Sequence, residues 1–177
     1  MNKSFPWLAV AAMALVVGAS NYLVGIPIND WVTWGHFTYP LAFLINDLVN
    51  RFHGVATARR VVYAGFAVGV IMSLIIPEIE TRIAVASGIA FLTSQLLDTT
   101  IFDKLRSMSW WIAPGVSSGI SSLVDTALFY GIAFFGTGLT WPQWALTDLG
   151  VKWFVAALAL LVYRLITTRA NSARVAT

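Results

Sequence analysis

Long apolar runs, separated by short polar breaks, set the pattern of this chain. Six can be drawn, about Phe5–Leu23, Trp34–Val49, Val61–Ile76, Ile83–Phe102, Trp111–Phe135 and Leu149–Ile166. A helix that crosses a bilayer needs about 20 apolar residues, within a range of about 17 to 25. The second and third runs are short on that scale and borrow flanking residues. The breaks, Gly25–Asp30, Arg51–Arg60, Pro77–Arg82, Asp103–Trp110 and Gly136–Asp148, are too short to hide a further domain. The pattern predicts an all-α membrane protein of six transmembrane helices, a single domain over residues 1–177. The first run continues to about Ile28 without a convincing cleavage site and other spans follow it, so it reads as a span and not as a signal peptide.

Composition agrees: 58% of residues are hydrophobic and 11% charged, against about 25% charged in soluble domains. The net charge of +3 could suggest nucleic acid, but the positions of the basic residues explain it otherwise. With the N-terminus inside, Lys3, Arg51, Arg59, Arg60, Lys104, Arg106, Arg164, Arg169 and Arg174 fall on one side, and Arg82 falls on the other with Asp30, Glu78, Glu80 and Asp148. Basic residues gather in short cytoplasmic loops, so both termini are expected in the cytoplasm and no nucleic-acid partner is implied. Trp34, Trp110, Trp111, Trp141, Trp144 and Trp153 fall near span ends, where amphipathic rings anchor. Cysteine is absent, which removes disulfides, thiolate metal sites and a cysteine nucleophile together.

Polar residues inside the runs change the picture most. Ser94-Gln95-Leu96-Leu97-Asp98-Thr99-Thr100-Ile101-Phe102 shares the spacing Ser-x-Leu-x-Asp-Thr-x-x-Phe with Ser121–Phe129 in the next run. An Asp at membrane depth costs roughly 2.5 to 3.5 kcal/mol on insertion scales, so each is a functional hypothesis. A packing hydrogen bond is the plainer reading of either one alone. Helical spacing groups Ser118, Ser122, Asp125 and Phe129 on one stripe, Phe91, Gln95, Asp98 and Phe102 on a second, and Tyr39, Phe43, Asn46 or Asp47, and Asn50 on a third. Together they could line a cavity. Asp47 and Asp98 lie near the cytoplasmic ends of their runs and Asp125 near the midplane, from which a proton-sharing aspartyl dyad is not expected. Gly65 with Gly69, Gly115 with Gly119 and Ser118 with Ser122 are small pairs that let helices approach closely.

Catalytic patterns fail on context. Gly115-Val116-Ser117-Ser118-Gly119 matches the nucleophile elbow of serine hydrolases, yet it opens an apolar helix and no His follows His53. His36 and His53, in or beside loops, read as solvated or capping side chains. There is no metal-ligand spacing and no phosphate loop, so neither an enzyme nor a metal or cofactor is expected.

A set of local sequences carries a resemblance: Ser20-Asn21-Tyr22-Leu23-Val24, Trp34-Gly35, Phe43 with Asp47 and Arg51, Gly54, Ala58-Arg59-Arg60, Gln95 with Asp98 and Phe102, Leu105-Arg106, Trp110-Trp111-x-Ala113-Pro114, Asp125-Thr126, and Asp148 with Lys152. Over about Ser20–Lys152 the chain resembles the bacterial queuosine precursor transporters, within the vitamin uptake transporter family. It departs from longer members in the short break Pro77–Arg82. The resemblance implies a multi-pass protein of the bacterial inner membrane that imports 7-cyano-7-deazaguanine and 7-aminomethyl-7-deazaguanine for tRNA queuosine salvage. Its partners would be the deazapurine and the lipid bilayer, with a homodimer left open. A deazaguanine offers two adjacent donors that one carboxylate can accept, and ring faces on which aromatics stack. The implied substrate residues are Asn21, Phe43, Asn46, Asp47, Gln95, Asp98, Phe102, Ser122, Asp125 and Lys152, with Tyr39 as a further stacking ring. Lys152 is expected to neutralise Asp148 or Asp125. The other reading is a substrate-binding membrane subunit of a multi-component vitamin or nucleobase uptake system; a structural role is a third.

Overall fold

The computed structural model describes residues 5–76 and 79–175. Lys3 and Glu78 of the charge count and Pro77 of the short break lie outside the described residues, as does the Arg174 side chain. The described chain forms α1 (Trp7–Leu23), α2 (Gly35–Thr38), α3 (Leu41–His53), α4 (Val55–Ile75), α5 (Thr81–Leu105), α6 (Ile112–Phe134) and α7 (Trp141–Val175). Among the described residues the β structure is one isolated bridge, between Pro27 and Thr33. Val55–Ile75, Thr81–Leu105, Ile112–Phe134 and Trp141–Ala170 are long and apolar enough to cross a membrane. α1 is apolar but has 17 residues.

The second expected span is divided, because Pro40 has no N–H to continue the helical ladder. Tyr39 and Pro40 therefore separate the single turn α2 from α3. At the other end of α3 the chain turns into α4 through one residue, Gly54, whose φ of 86° favours glycine. The apolar run understated two helices. α4 begins at Val55, and α7 begins at Trp141, which draws Asp148 out of the expected loop and into a helix.

Cross-helix bonds fix the directions. Arg51 Nη1 donates to the Arg106 carbonyl at 2.8 Å, and Arg106 Nη2 returns bonds to the Asn50 and Arg51 carbonyls at 3.2 and 3.3 Å. The C-terminal ends of α3 and α5 thus lie together, where cationic side chains meet the helices' free carbonyls. The Arg164 guanidinium stacks on Trp110 at the same end, 4.7 Å from the ring centroid. At the opposite end Arg82 bonds the Ile132 and Phe135 carbonyls at 2.8 and 2.7 Å, capping α6. That engagement gives Arg82 a local role.

α1 packs closely on α4 at two glycines. A Cβ on Gly65 would stand 2.6 Å from Met13 Cγ, and one on Gly69 3.5 Å from Val17 Cγ1. The expectation for Gly119 is not met: no atom lies within 4 Å of such a Cβ, and the Gly119 carbonyl accepts from Trp153 Nε1 at 3.2 Å. Met13, Val17, Ala42, Val49, Ala58, Val61, Val62 and Phe91 form an apolar core among α1, α3, α4 and α5. Leu8, Leu74 and Leu146 are 85%, 81% and 71% exposed, as befits side chains that meet lipid instead of water.

Candidate functional site

The polar interior falls into two clusters, one at each end of the bundle. The first floors a cavity of about 150 Å³ that lies at the end away from the chain termini. α1 supplies Ser20 and Asn21, α2 His36, the α2–α3 break Tyr39, α5 Ser87, α6 Asp125, Phe129 and Tyr130, and α7 Asp148 and Lys152.

Lys152 organises the floor. Its Nζ donates to Asp125 Oδ2 at 2.7 Å, Asp148 Oδ2 at 2.5 Å and Thr126 Oγ1 at 3.0 Å. Thr126 Oγ1 donates in turn to Asp148 Oδ2 at 2.7 Å. The Tyr39 hydroxyl and Ser94 Oγ donate to Asp125 Oδ1 at 2.7 and 2.9 Å. Both Asp125 oxygens are thus engaged. Asp148 Oδ1 is less committed: its neighbour is His36 Nε2 at 3.8 Å. His36 Nδ1 accepts the Thr33 amide at 3.0 Å, which leaves the ring proton on Nε2, toward Asp148. Two carboxyl groups gather around one amine, so the floor offers more acceptors than charged donors and can hold a donor-rich ligand.

The second cluster lies deeper, among α3, α5 and α6. Asn46 Nδ2 donates to the Gln95 carbonyl at 3.0 Å and to Asp98 Oδ2 and Thr99 Oγ1 at 2.9 Å each. Asn50 Nδ2 donates to the Thr99 carbonyl at 2.8 Å. Ser117 and Ser118 hydroxyls donate to the two Asp47 oxygens at 3.3 and 3.2 Å. Asp98 Oδ1 is buried and, among the described residues, accepts no hydrogen bond. α3 and α5 run the same way, so equal distances from their C-terminal ends put Asp47 and Asp98 at one height; depth separates only Asp125 from them.

The ten expected site residues divide accordingly. Asn21, Asp125 and Lys152 border the cavity. Phe43, Asn46, Asp47, Gln95, Asp98, Phe102 and Ser122 are buried beneath it and outside its lining. The three stripes do converge, but into packed interior for most of their length; Tyr39, Asp125 and Phe129 reach the cavity. The repeated spacing does not give two equivalent sites, since Asp98 and Asp125 belong to different clusters. Its two copies nevertheless touch, through Ser94 and Asp125.

A family profile described as "Putative vitamin uptake transporter" matches residues 33–79 and 76–166, most of the chain and nearly all of both clusters. The chain belongs to the vitamin uptake transporter family. Within it, the chain is 31% identical over 186 residues to the "Queuosine precursor transporter" of Escherichia coli (strain K12), covering 90% of this chain and 84% of that one. It is 30% identical over 196 residues to a "Probable queuosine precursor transporter" of Haemophilus influenzae, covering 89% and 83%. A Bacillus subtilis protein of the same printed name is 27% identical over 160 residues, covering 75% and 68%. No solved structure matches. As a vitamin uptake transporter this chain is a multi-pass membrane protein of the transporter class, not of an enzyme class.

For a vitamin uptake transporter, the cavity residues least visible in the sequence are His36 and Asp148. His36 reads as a solvated or capping side chain, and Asp148 as a loop residue, with Lys152 expected to neutralise it or Asp125. The signal for Asp148 was its spacing of four from Lys152, which places both on one helical face. For His36 no sequence signal exists, because its partner is 112 residues away in the chain.

Proposed function

We propose that this protein imports queuosine precursors, 7-cyano-7-deazaguanine and 7-aminomethyl-7-deazaguanine, across the bacterial inner membrane for tRNA queuosine salvage. In this reading it crosses the membrane six times with both termini in the cytoplasm, α1 and the α2–α3 pair completing the six. The cavity then faces outward. The observation that carries the proposal is the floor Asp125–Lys152–Asp148 beneath that cavity. A deazaguanine keeps the N1–H and exocyclic amine of guanine, and a carboxylate oxygen with room for a further donor accepts one of them. Asp148 Oδ1 is such an oxygen. The two carboxyl groups offer acceptors to the amine of the aminomethyl precursor, and Phe129 and Tyr130 offer rings on which a base can stack. The relatives' printed names, which speak of queuosine precursors, support that substrate class. Among the expected site residues, Asn21, Asp125 and Lys152 would meet the substrate in this outward-open arrangement.

The test is rescue of queuosine-modified tRNA in a transporter-deficient strain that cannot make the precursors and receives them in limiting amounts. Expression of this chain is expected to restore the modification, and Asp148→Asn or Asp125→Asn to abolish it at unchanged membrane abundance. If the parent chain fails to rescue while inserting normally, the substrate is wrong. Uptake by the purified chain alone in liposomes separates a self-sufficient carrier from a subunit that needs an energising complex.

A further inference from the structure

We propose that His36 and Asp148 together read the lactam edge of the substrate, the neighbouring C=O and N–H that a 6-oxopurine carries and a 6-aminopurine does not; this rests on the deazaguanine reading of the cavity and gives that cavity its selectivity.

His36 is held in one state. Its Nδ1 accepts the Thr33 amide at 3.0 Å and lies 2.9 Å from the Thr33 hydroxyl. A backbone N–H only donates, so Nδ1 keeps its lone pair and the ring proton sits on Nε2. The loop that presents Thr33 is itself closed: the Asn29 side chain accepts the Trp31 and Val32 amides at 2.9 Å each, and Pro27 bridges to Thr33. One residue before the histidine, Gly35 approaches α1 so closely that a Cβ would stand 2.8 Å from the Val24 nitrogen. Ser20 of α1 donates to Thr38 Oγ1 at 2.9 Å, at the other end of the same turn. The imidazole is thus anchored by backbone on a short helix that α1 holds in place.

The far nitrogen has no such anchor. Among the described residues His36 Nε2 meets no acceptor at hydrogen-bond distance; Asp148 Oδ1 is 3.8 Å away, beyond the roughly 2.7 to 3.2 Å of an N–H···O bond. Lys152 and Thr126 both bond the other Asp148 oxygen, Oδ2. One donor and one acceptor therefore lie side by side, and both residues line the cavity. The rest of the floor is occupied: both Asp125 oxygens accept bonds, and the Lys152 amine spends its donors on Asp125, Thr126 and Asp148.

A 6-oxopurine fits that pattern. Its C6 carbonyl can accept from His36 Nε2 while the adjacent N1–H donates to Asp148 Oδ1, two nearly parallel bonds from neighbouring ring positions. A 6-aminopurine presents the reverse, an amine toward the imidazole N–H and a bare N1 lone pair toward the carboxyl oxygen, so that both contacts oppose like with like. A side-chain amide could turn over to suit either edge. This imidazole cannot move its proton to Nδ1 without setting it against the Thr33 N–H. Selectivity then comes from a repulsion as well as an attraction. Because the cyano and aminomethyl precursors share the lactam edge, the pair sorts the class of base and not the group at its 7-position.

The test is competition against labelled 7-cyano-7-deazaguanine bound to the full-length protein in liposomes, with two competitors that differ at this edge alone, 7-deazaguanine and 2,6-diamino-7-deazapurine. The parent is expected to prefer the first by about a hundredfold or more. Equal competition overturns the proposal. His36→Gln supplies an amide that can turn over, and is expected to admit the diamino compound and shrink the preference by about tenfold or more; a preference equal to the parent's also overturns it. Nitrogen NMR of isotope-labelled histidine needs no variant and is simple in a chain with 2 histidines. His36 is expected in the Nε2–H form, with an Nε2 signal that shifts on adding 7-deazaguanine and not on adding the diamino compound. An Nδ1–H form, or equal shifts, overturns the assignment. A parent that binds neither the labelled precursor nor either competitor overturns the proposed function, and this pairing with it.

Discussion

The Tyr39 hydroxyl donates to Asp125 Oδ1 at 2.7 Å, joining the break between α2 and α3 to the middle of α6. Lys152 sits over the same ring, 5.3 Å from its centroid. Tyr39→Phe keeps the ring and deletes the bond. A hydrogen bond to a charged group contributes about 1.5 to 3 kcal/mol, so precursor affinity is expected to fall by about one to two orders of magnitude if the floor must be held in place to bind. The half-saturation concentration for uptake at normal membrane abundance checks this.

Lys152 tests the floor from the other side. Lys152→Ala leaves Asp125 and Asp148 buried without their cation, and removing one partner of a buried ion pair costs about 3 to 5 kcal/mol. The expected outcome is a marked loss of thermal stability in detergent. Adding Asp125→Asn and Asp148→Asn to Lys152→Ala is expected to restore much of the stability but no transport.

Gly65 and Gly119 should part company. A Cβ on Gly65 meets buried Met13 at 2.6 Å, whereas one on Gly119 meets nothing within 4 Å. Overpacking costs about 1 to 3 kcal/mol, so Gly65→Val is expected to lower the melting temperature and Gly119→Ala to leave it unchanged. Thermal unfolding of the two purified variants measures the difference.

Orientation can be read by labelling, since the chain has no native cysteine. Single cysteines at Thr57 and Ser107 are expected to resist an impermeant thiol reagent in intact cells, and one at Thr137 to react. The reverse pattern would turn the protein over and make the cavity face the cytoplasm.

Hydropathy made the long helices legible, because lipid leaves a chain few ways to satisfy its backbone other than helix. It located helix ends poorly. α7 runs a full two turns before its apolar stretch begins at Leu149, and those turns carry Asp148, a residue whose importance depends on being helical. The division at Pro40 was hidden for the opposite reason: an apolar run looks the same with or without a missing N–H. Individual polar residues were visible as exceptions in an apolar background, and nearly all of them proved to be interior. Their partners were not visible. Nothing in the spacing announces that Asn46 meets Asp98 or that Asp47 meets Ser117 and Ser118, since those meetings are a property of how three helices assemble.

The two halves of the interior also differ mechanically. Along α1 and α4 the contact is Met13 and Val17 against glycines, an oily seam that among the described residues has no directional bonds and can slide by a small distance without breaking any. Between α5, α6 and α7 every shift must first release Ser94, Thr126 or Lys152 from a carboxylate. If the cavity is to close at one end and open at the other, the seam is where the bundle gives, and the ionic side is the frame against which it moves.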